Sequence, residues 1–548
     1  MLDGVVGWPP EFAQRYRARG YWAGTTLGQA FDRSVAANAD RVAVVDGPRR
    51  IIYRELSRLV DRLALHLALR DVRGGARVVF QLPNTAELAI AYLACLKVGA
   101  IPVCCLPAHR HAEIGYLADF TQAAAWLLPS ELRGFDYVAM AEEVRGSLPA
   151  LREVIVAGGR AGRGMTRMDD LLEDAVEERT APGSLGRLRP RPDDVAVFQL
   201  SGGTTGLPKV IPRTHDDYHY NSLQFAAATD FDRESVLLVS IPGEHNFPLA
   251  CPGLQGALLL GARVVLAPSP DPETVFSLVE AERVTWIPAV PASVITWLNH
   301  PKRTRYDLGS IRTLIVGGSR LNPEPARAAR EAFGPALAQV YGMAEGLLCA
   351  TRRSDPPEVI LETQGRPVCL DDELRIVDDD GYQVPAGELG ELHCRGPYTI
   401  RGYYRAAEHN RTAFTADGFY KTGDLVRRHP SGNLIVEGRK KDTINRGGEK
   451  ISSEEIENLI LAHPSVLNAA VVAMPDPVLG ERACAFVIPR PGATLTLEGL
   501  CRFLLEDKRI AKFKLPERLE LRERFPTTPV GKISKNDLRD DARKATQA

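Results

Sequence analysis

Three glycines, three hydroxyl side chains and one lysine fall within the ten residues from Leu200 to Lys209, directly after the apolar run 195–198. An apolar run followed by such a segment is typical of a strand that leads into a phosphate-binding loop. Glycines let backbone N–H groups turn toward an anion, hydroxyls donate hydrogen bonds, and the lysine supplies a positive charge. We therefore expect a nucleotide triphosphate to contact Ser201, Gly202, Gly203, Thr204, Thr205, Gly206 and Lys209.

Two other interpretations of this segment are weaker. A Walker-type P-loop ends in Gly-Lys-Ser/Thr and opens a helix, whereas Lys209 follows Pro208 and precedes Val210-Ile211-Pro212, which cannot start a helix cleanly. A flexible linker of small polar residues needs neither an apolar strand before it nor a proline at its exit. A phosphate loop of another kind remains.

A histidine and an asparagine, His245 and Asn246, follow a second strand-like run at 235–239. In open α/β sheets, ligands bind at the carboxyl ends of the parallel strands. This placement favours a functional role, although a single histidine is more often structural.

Two further strand-like runs end in glycine, at Gly317-Gly318 and at Gly342. Their apolar parts are buried strands, but glycines at a strand end let a flat base lie against the backbone, and Tyr341 can stack on its other face. Glu345 follows closely. A carboxylate beside a triphosphate needs a cation, so Mg²⁺ coordination is its natural role.

Asp424, the cluster from Arg439 to Asp442 and Lys532 have ordinary structural explanations when each is taken alone. An aspartate after Thr-Gly caps a turn, a run of charges is a solvated turn, and a lysine near the end of a chain usually has no special role.

Together these motifs resemble those of the acyl-adenylate-forming enzymes, the family of acyl-CoA synthetases, luciferases and nonribosomal adenylation domains. Ser-Gly-Gly-Thr-Thr-Gly-Leu-Pro-Lys resembles the signature loop of that family. The resemblance implies ATP and Mg²⁺ as ligands. It implies adenine contacts for Gly318 and Tyr341, ribose contacts for Asp424 and Arg439, metal binding by Glu345, a hinge at Lys441 and a catalytic lysine at Lys532.

The resemblance spans nearly the whole chain and is closest to stand-alone aryl-acid AMP ligases of siderophore and natural-product pathways. In that subclass the corresponding histidine, here His245, moves with carboxylate binding, and Asn246 is assigned to a ring substituent. The expected substrate contacts are Asn246, Phe247, Cys251, Gly317 and Leu348. Members that take 2,3-dihydroxybenzoate generally have serine where Cys251 stands; a thiol is a weaker partner and suits salicylate.

Two departures from the subclass pattern leave the substrate open. Gly243-Glu244 replaces Met-Ala before His-Asn, and Ala350 stands where an aromatic residue is common. Either change suits another substituted benzoate or a heteroaryl acid. The acceptor is open too, because a carrier-protein phosphopantetheine and free CoA present the same thiol. Three alternatives come from other classes. A non-catalytic acyl-adenylate-binding relative would lack Lys532 or Glu345, and both are present. A luciferase-type oxygenase would need oxygen after adenylation, and a long-chain acyl-CoA synthetase predicts an apolar tunnel in place of Asn246.

Strand-like runs alternate with helix-like stretches such as Tyr53 to Leu69 and Thr85 to Val98, which indicates an α/β fold with parallel sheet. Glu11 to Trp22 is predicted as an N-terminal helix and 181–194 as a surface connection. The resemblance implies a large core over 1–438, with mixed sheets, flanking helices and a β-barrel-like subdomain. It also implies a small, mobile α+β lid over 439–548, which we call the C-terminal lid.

Composition excludes several classes of protein. The 548 residues carry a formal net charge of -1, so no global field attracts nucleic acid or an anionic membrane. The nine cysteines form no CxxC pair, which indicates reduced thiols and no zinc site. No apolar run reaches the ~18 residues of a membrane span. We expect a cytoplasmic enzyme.

Overall fold

The computed structural model describes residues 2–181, 183–201, 208–447, 449–528 and 531–547. Its β-strands belong to two large sheets, two smaller sheets and one short hairpin. In chain order they are β1 Val42–Asp46, β2 Arg49–Ile52, β3 Arg77–Phe80, β4 Ile101–Cys104, β5 Ala125–Pro129, β6 Glu131–Leu132, β7 Phe135–Asp136, β8 Glu153–Ala157, β9 Thr166–Arg167, β10 Val195–Leu200, β11 Val210–Thr214, β12 Val236–Val239, β13 Arg263–Leu266, β14 Trp286–Ala289, β15 Thr313–Val316, β16 Leu337–Gly342, β17 Leu348–Ala350, β18 Arg366–Pro367, β19 Glu373–Val377, β20 Gly390–Arg395, β21 Tyr420–Arg428, β22 Leu434–Arg439, β23 Ile444–Arg446, β24 Glu449–Ile451, β25 Val466–Asp476, β26 Gly480–Pro489 and β27 Arg518–Leu521.

The α-helices connect these strands. In chain order they are α1 Pro10–Ala18, α2 Leu27–Asn38, α3 Tyr53–Leu69, α4 Ala86–Val98, α5 His111–Thr121, α6 Tyr137–Val144, α7 Met168–Glu173, α8 Ser184–Arg187, α9 His215–Ala228, α10 Asn246–Ala250, α11 Gly253–Leu260, α12 Pro272–Glu282, α13 Pro291–Leu298, α14 Pro323–Phe333, α15 Pro357–Glu362, α16 Ala407–Ala413, α17 Ser453–Leu461, α18 Leu497–Glu506 and α19 Lys535–Gln547. Short 3-10 helices lie at Arg145–Ser147, Val176–Arg179, Arg303–Arg305, Gly334–Ala336, Lys440–Asp442 and Lys512–Lys514.

The first large sheet has the strand order β18-β17-β16-β15-β14-β12-β13-β1-β2. Strands β12 to β16 pair with one another in parallel, whereas β17 is antiparallel to β16. Helices α11 to α14 provide the crossovers that parallel pairing requires. The carboxyl ends of β12, β15 and β16 therefore meet at one edge of the sheet. The candidate residues that follow each of these strands are brought to that edge.

The second large sheet has the order β11-β10-β4-β3-β5-β8-β9, and β11 runs antiparallel to β10. Helix α4 is apolar on all sides, with twelve of its thirteen residues fully buried or nearly so, as expected of a helix in the middle of a core. It contacts β1 of the first sheet and β4 of the second. The two sheets thus share one hydrophobic core on either side of this helix.

Two smaller sheets complete the described chain. Where a barrel-like subdomain was expected, β19 to β22 form a four-stranded antiparallel sheet whose edge strands do not pair with each other. The C-terminal lid has its own sheet, in the order β24-β23-β26-β25 with β27 beside β26. Helices α17 and α19 pack on it, over buried side chains such as Ile456 and Leu538.

Several sequence expectations are met. Helices α3 and α4 occupy the predicted stretches, and all nine cysteines are free thiols. The N-terminal helix is shorter than predicted, because α1 ends at Ala18 and Gly20 follows with φ of +76°. The stretch 181–194 contains the short helix α8. Within the described part of the chain, no helix combines the length and apolarity needed to cross a membrane.

Candidate active site

The two ends of the expected phosphate loop are held together by backbone pairing. Strand β10 ends at Leu200, which pairs with Val210 on β11. Beyond that pair, the Ser201 N–H donates to the Lys209 carbonyl at 3.0 Å, and the Lys209 N–H donates to Ser201 Oγ at 3.0 Å. These contacts hold Ser201 and Lys209 side by side at the two ends of the segment. The predicted loop residues Gly202, Gly203, Thr204, Thr205 and Gly206 lie outside the described residues.

Three of the predicted nucleotide residues form one hydrogen-bonded cluster. The Tyr341 hydroxyl donates to Asp424 Oδ2 at 2.7 Å, and Arg439 Nε donates to Asp424 Oδ1 at 2.9 Å. Burial raises the pKa of Tyr341 well above its ordinary value, and the Asp424 charge adds to that shift. Asp424 in turn raises the pKa of Arg439. Both oxygens of the Asp424 side chain are therefore oriented by hydrogen bonds, one of them from a guanidinium.

Glu345 lies beside this cluster and is 8% exposed. Its Oε1 accepts a 2.7 Å hydrogen bond from the Tyr403 hydroxyl, and its backbone carbonyl accepts from the Ile400 N–H. Mg²⁺ in nucleotide sites is held by one or two carboxylates together with phosphates and water. A single oriented carboxylate beside the predicted phosphate loop fits that donor set, and no cluster of three or more metal-ligating side chains exists among the described residues.

Lys532 reaches into this region from the C-terminal lid. It lies in a turn after β27, where the Thr528 N–H donates to the Lys532 carbonyl at 2.6 Å. Its side chain passes over Gly318, whose φ is +87°, and a Cβ placed there would come within 2.9 Å of Lys532 Cε. Glycine at 318 thus leaves the space that the lysine occupies.

Burial and the neighbouring charges determine the pKa of the Lys532 amine. Loss of solvent and then the Arg439 charge lower the pKa of Lys532 to about 8, while Asp424 and Glu345 oppose the shift. Lys532 in turn adds to the lowering of the pKa of His245, which is mainly due to burial. The amine is therefore close enough to interact with both the nucleotide cluster and His245.

His245 is a neutral imidazole in this setting. Burial lowers its pKa to about 3. Its Nδ1 accepts from the Phe247 backbone N–H at 3.3 Å, which places the single ring proton on Nε2. The residue therefore presents its Nε2–H as a hydrogen-bond donor.

The remaining predicted substrate residues lie close together. Asn246 Nδ2 lies 3.6 Å from Cys251 Sγ, and the thiol lies 3.6 Å from the Asn246 carbonyl. A Cβ on Gly317 would lie 3.4 Å from the Phe247 ring. Leu348 is buried in the same hydrophobic cluster as Phe247 and Cys251.

The two departures from the subclass pattern are both buried. Burial raises the pKa of Glu244 well above its ordinary value. A Cβ on Gly243 would lie 2.5 Å from Leu88 Cδ2, at the tip of a leucine side chain. Ala350 lies at the end of β17 and is also buried.

Lys441 lies between the two sheets that flank the predicted hinge. The 3-10 turn Lys440–Asp442 connects β22, in the four-stranded sheet, to β23, in the lid sheet. Lys440 holds the core side of the turn through Glu391 at 3.0 Å, and Asp442 is paired with Arg539 of the lid. A pivot at this turn stays a prediction.

Sequence reasoning gave no role to three residues that the structure connects to the site. Tyr403 bonds Glu345, Tyr218 bonds Asn246, and Gln199 bonds Tyr218. Their partners are 58, 28 and 19 residues away in sequence. No local motif signals such contacts, although Tyr403 falls in the segment 396–404 that carries part of the family resemblance.

Comparisons with known proteins agree with this geometry. The chain matches the AMP-binding enzyme family over residues 31–404 and the AMP-binding enzyme C-terminal domain over 455–532. It is 50% identical to a Streptomyces salicylyl-CoA synthase / salicylate adenylyltransferase, covering 99% of this chain and 98% of that protein. It is 45% identical to the Bacillus subtilis 2,3-dihydroxybenzoate-AMP ligase, covering 98% of each.

A solved structure supports the fold. The apo structure of Mycobacterium smegmatis MbtA superposes with a TM-score of 0.75 at 42% identity, covering 98% of each chain. Fold, motifs and family models agree along nearly the whole length. The chain therefore belongs to the AMP-binding enzyme family.

Proposed function

We propose that this protein uses ATP to activate an aryl carboxylic acid, with salicylate as the best candidate, and then transfers the aryl group to a phosphopantetheine thiol. The observation that carries the proposal is the position of the Lys532 amine. It lies against Gly318, and it is close enough to Asp424, Glu345 and His245 for their charges and its own to interact. A cation within reach of the predicted ribose, metal and acid residues supports a role in the reaction of an acid with a nucleotide.

The first half-reaction joins two anions. A carboxylate oxygen attacks the α-phosphorus of ATP, the bond from that phosphorus to the bridging oxygen breaks, and pyrophosphate leaves. Negative charge builds up at the phosphorus, so stabilisation has to be cationic and preorganised. Lys532 supplies one such charge, and the Nε2–H of His245 is available to hold the carboxylate. Glu345 would hold Mg²⁺, which neutralises charge on the phosphates when bound.

The nucleoside is held by the oriented carboxylate of Asp424. Both of its oxygens accept hydrogen bonds in the described structure. A ribose diol donates two hydrogen bonds, and an ionised carboxylate is the side chain that accepts both. Tyr341 and Arg439 keep that carboxylate in place.

The choice of salicylate depends on two adjacent side chains. Asn246 offers a polar contact to a substituent next to the carboxylate, whereas the Cys251 thiol is a weak partner for a second hydroxyl. The named relatives act on salicylate in one case and on 2,3-dihydroxybenzoate in the other. 2,3-Dihydroxybenzoate, another substituted benzoate and a heteroaryl acid are the alternative substrates.

In the second half-reaction a thiol sulfur attacks the acyl carbon of the aryl adenylate. A carbon–sulfur bond forms, AMP leaves, and the thiol proton passes to solvent. An aryl carrier protein and free CoA present the same sulfur. The carrier protein is our first choice of acceptor, and the name of the Streptomyces relative makes CoA the competing one.

ATP–pyrophosphate exchange with a panel of acids tests the first half-reaction. The panel is salicylate, 2,3-dihydroxybenzoate, benzoate and 3-hydroxypicolinate, with acetate and a fatty acid as controls. We expect exchange to be fastest with salicylate. If no aryl acid of the panel gives a higher exchange rate than the controls, aryl-acid activation is refuted. If another aryl acid has a higher kcat/KM than salicylate, only the choice of salicylate as substrate is refuted.

A further inference from the structure

A chain of three hydrogen bonds runs from the backbone at Glu244 to the side chain of Asn246. Gln199 Nε2 donates to the Glu244 carbonyl at 3.3 Å and to the Tyr218 hydroxyl at 3.2 Å. The Tyr218 hydroxyl donates to Asn246 Oδ1 at 2.8 Å. Gln199, Tyr218 and Asn246 are each at most 5% exposed. Water therefore does not compete for these groups.

The direction of every bond in this chain follows from its first member. A backbone carbonyl can only accept, so the Gln199 atom that faces Glu244 has to be its NH₂ group. The second hydrogen of that NH₂ group points to Tyr218, whose oxygen accepts it. The hydroxyl has a single proton, and that proton is left for Asn246 Oδ1.

The orientation of the Asn246 carboxamide is fixed as a result. Its oxygen is engaged with Tyr218, so its NH₂ group faces the opposite side, where the described neighbour is the Cys251 thiol at 3.6 Å. Sulfur is a weak acceptor. The Asn246 NH₂ group is therefore a donor without a strong acceptor among the described residues on the Cys251 side. The proposed aryl acid would bind on that side and could supply the acceptor.

We propose that Tyr218 is a positioning residue that fixes Asn246 as a hydrogen-bond donor, so that the site selects aryl acids with an acceptor at the ring position next to the carboxylate. This inference rests on the proposed function. The phenol of salicylate donates to its own carboxylate and keeps oxygen lone pairs free, and a ring nitrogen has a free lone pair. An ortho amine, as in anthranilate, presents N–H groups and meets a donor with a donor.

The experiment compares salicylate, anthranilate and benzoate in ATP–pyrophosphate exchange. An unmet donor in a buried site costs roughly ten- to hundredfold in affinity, so the wild-type protein should favour salicylate over anthranilate by about that factor in kcat/KM. Tyr218→Phe removes the hydroxyl and frees the amide to turn. We expect the salicylate/anthranilate ratio to fall about tenfold or more, with benzoate changed by less than about threefold.

The matched control is Tyr220→Phe. Tyr220 lies on the same helix, α9, and its hydroxyl contacts the Cys369 thiol at 3.1 Å rather than Asn246. It should leave the ratio unchanged. Gln199→Leu interrupts the chain one step earlier and should lower the ratio as well, so it serves if Tyr218→Phe does not fold.

The outcomes separate this inference from the proposed function. Equal losses for all three acids in Tyr218→Phe would mean a merely structural role and would overturn the inference, as would a wild-type protein that does not discriminate. A wild-type protein that activates none of the three acids, or of the wider panel, would instead refute the proposed function.

Discussion

The role proposed for Lys532 requires a positively charged amine, but the surroundings of this amine lower its pKa. Removal from solvent and the nearby Arg439 lower its pKa to about 8, while Asp424 and Glu345 keep it from falling further. The amine is thus largely protonated at pH 7 and largely neutral at pH 9. A cation that stabilises charge at phosphorus loses its effect when it loses its proton.

The rate of ATP–pyrophosphate exchange should therefore fall as the pH rises through about 8. Below its pKa the Lys532 amine carries the positive charge that would stabilise the reacting phosphate. Above its pKa the amine is neutral, so the rate falls. Lys532→Arg should move this fall to higher pH, because a guanidinium stays protonated. Lys512→Arg, an exposed lysine of the same lid, is the control. If the pH dependence of exchange is the same in Lys532→Arg as in the wild-type protein, the fall in rate is due to another group.

At the residue scale, motifs and the resemblance singled out Ser201, Asp424 and Lys532, but not the residues that hold such side chains in place. Asp424 and Lys532 are close enough for the Asp424 charge to act on the pKa of the amine. Tyr218 and Tyr403 were not assigned, because each acts through a contact with a residue distant in sequence. A tyrosine in an amphipathic helix or a loop looks like ordinary core until its partner is known.

At the scale of elements, the turn that follows β16 positions Glu345 against the segment 399–400. The segment after β16 turns at Gly346, whose φ is +150°, and a Cβ there would lie 2.3 Å from Thr399 Cα. The neighbouring segment is in turn bonded to Glu345, since the Ile400 N–H donates to the Glu345 carbonyl at 2.7 Å. Close approach of two backbones thus positions the predicted metal ligand.

Gly346→Ala should destabilise the core by more than about 2 kcal/mol, because it combines an unfavourable φ with a backbone clash. Gly432→Ala is the control: Gly432 also has a positive φ, +86°, but nothing lies within 4 Å of a Cβ there. Gly432→Ala should lower the free energy of unfolding by only about 1 kcal/mol. Thermal unfolding measures both. Equal shifts in the unfolding midpoint would show that close approach at 346 contributes little.

Long periodic elements were predicted well and short irregular ones were not. α3 and α4 have strong apolar patterns over thirteen or more residues, so their positions could be predicted from sequence. α1 stops four residues before the predicted Trp22, and Gly20 follows with φ of +76°. Beyond the helix, Trp22 donates its indole N–H to the Pro397 carbonyl at 3.0 Å, a partner 375 residues away that no local pattern signals.

At the scale of the whole molecule, the C-terminal lid contacts the core next to the predicted nucleotide residues. These contacts include Lys532 on Gly318 and the hydrogen bond from Ser452 Oγ to the Glu437 carbonyl at 2.9 Å. They are the contacts that the proposed adenylation step requires of the lid. The family resemblance implies that rotation about Lys441 withdraws Lys532 and admits the thiol, so that one lid serves two half-reactions.

The most direct test is Lys532→Ala assayed separately in the two half-reactions with salicylate. We expect salicylate-dependent ATP–pyrophosphate exchange to fall by roughly 10²-fold or more, with the melting temperature unchanged. Transfer of the salicyl group from supplied salicyl adenylate to a phosphopantetheine thiol should continue. Exchange at the wild-type rate, or equal loss of both half-reactions in the folded variant, would contradict the assignment of Lys532 to adenylation.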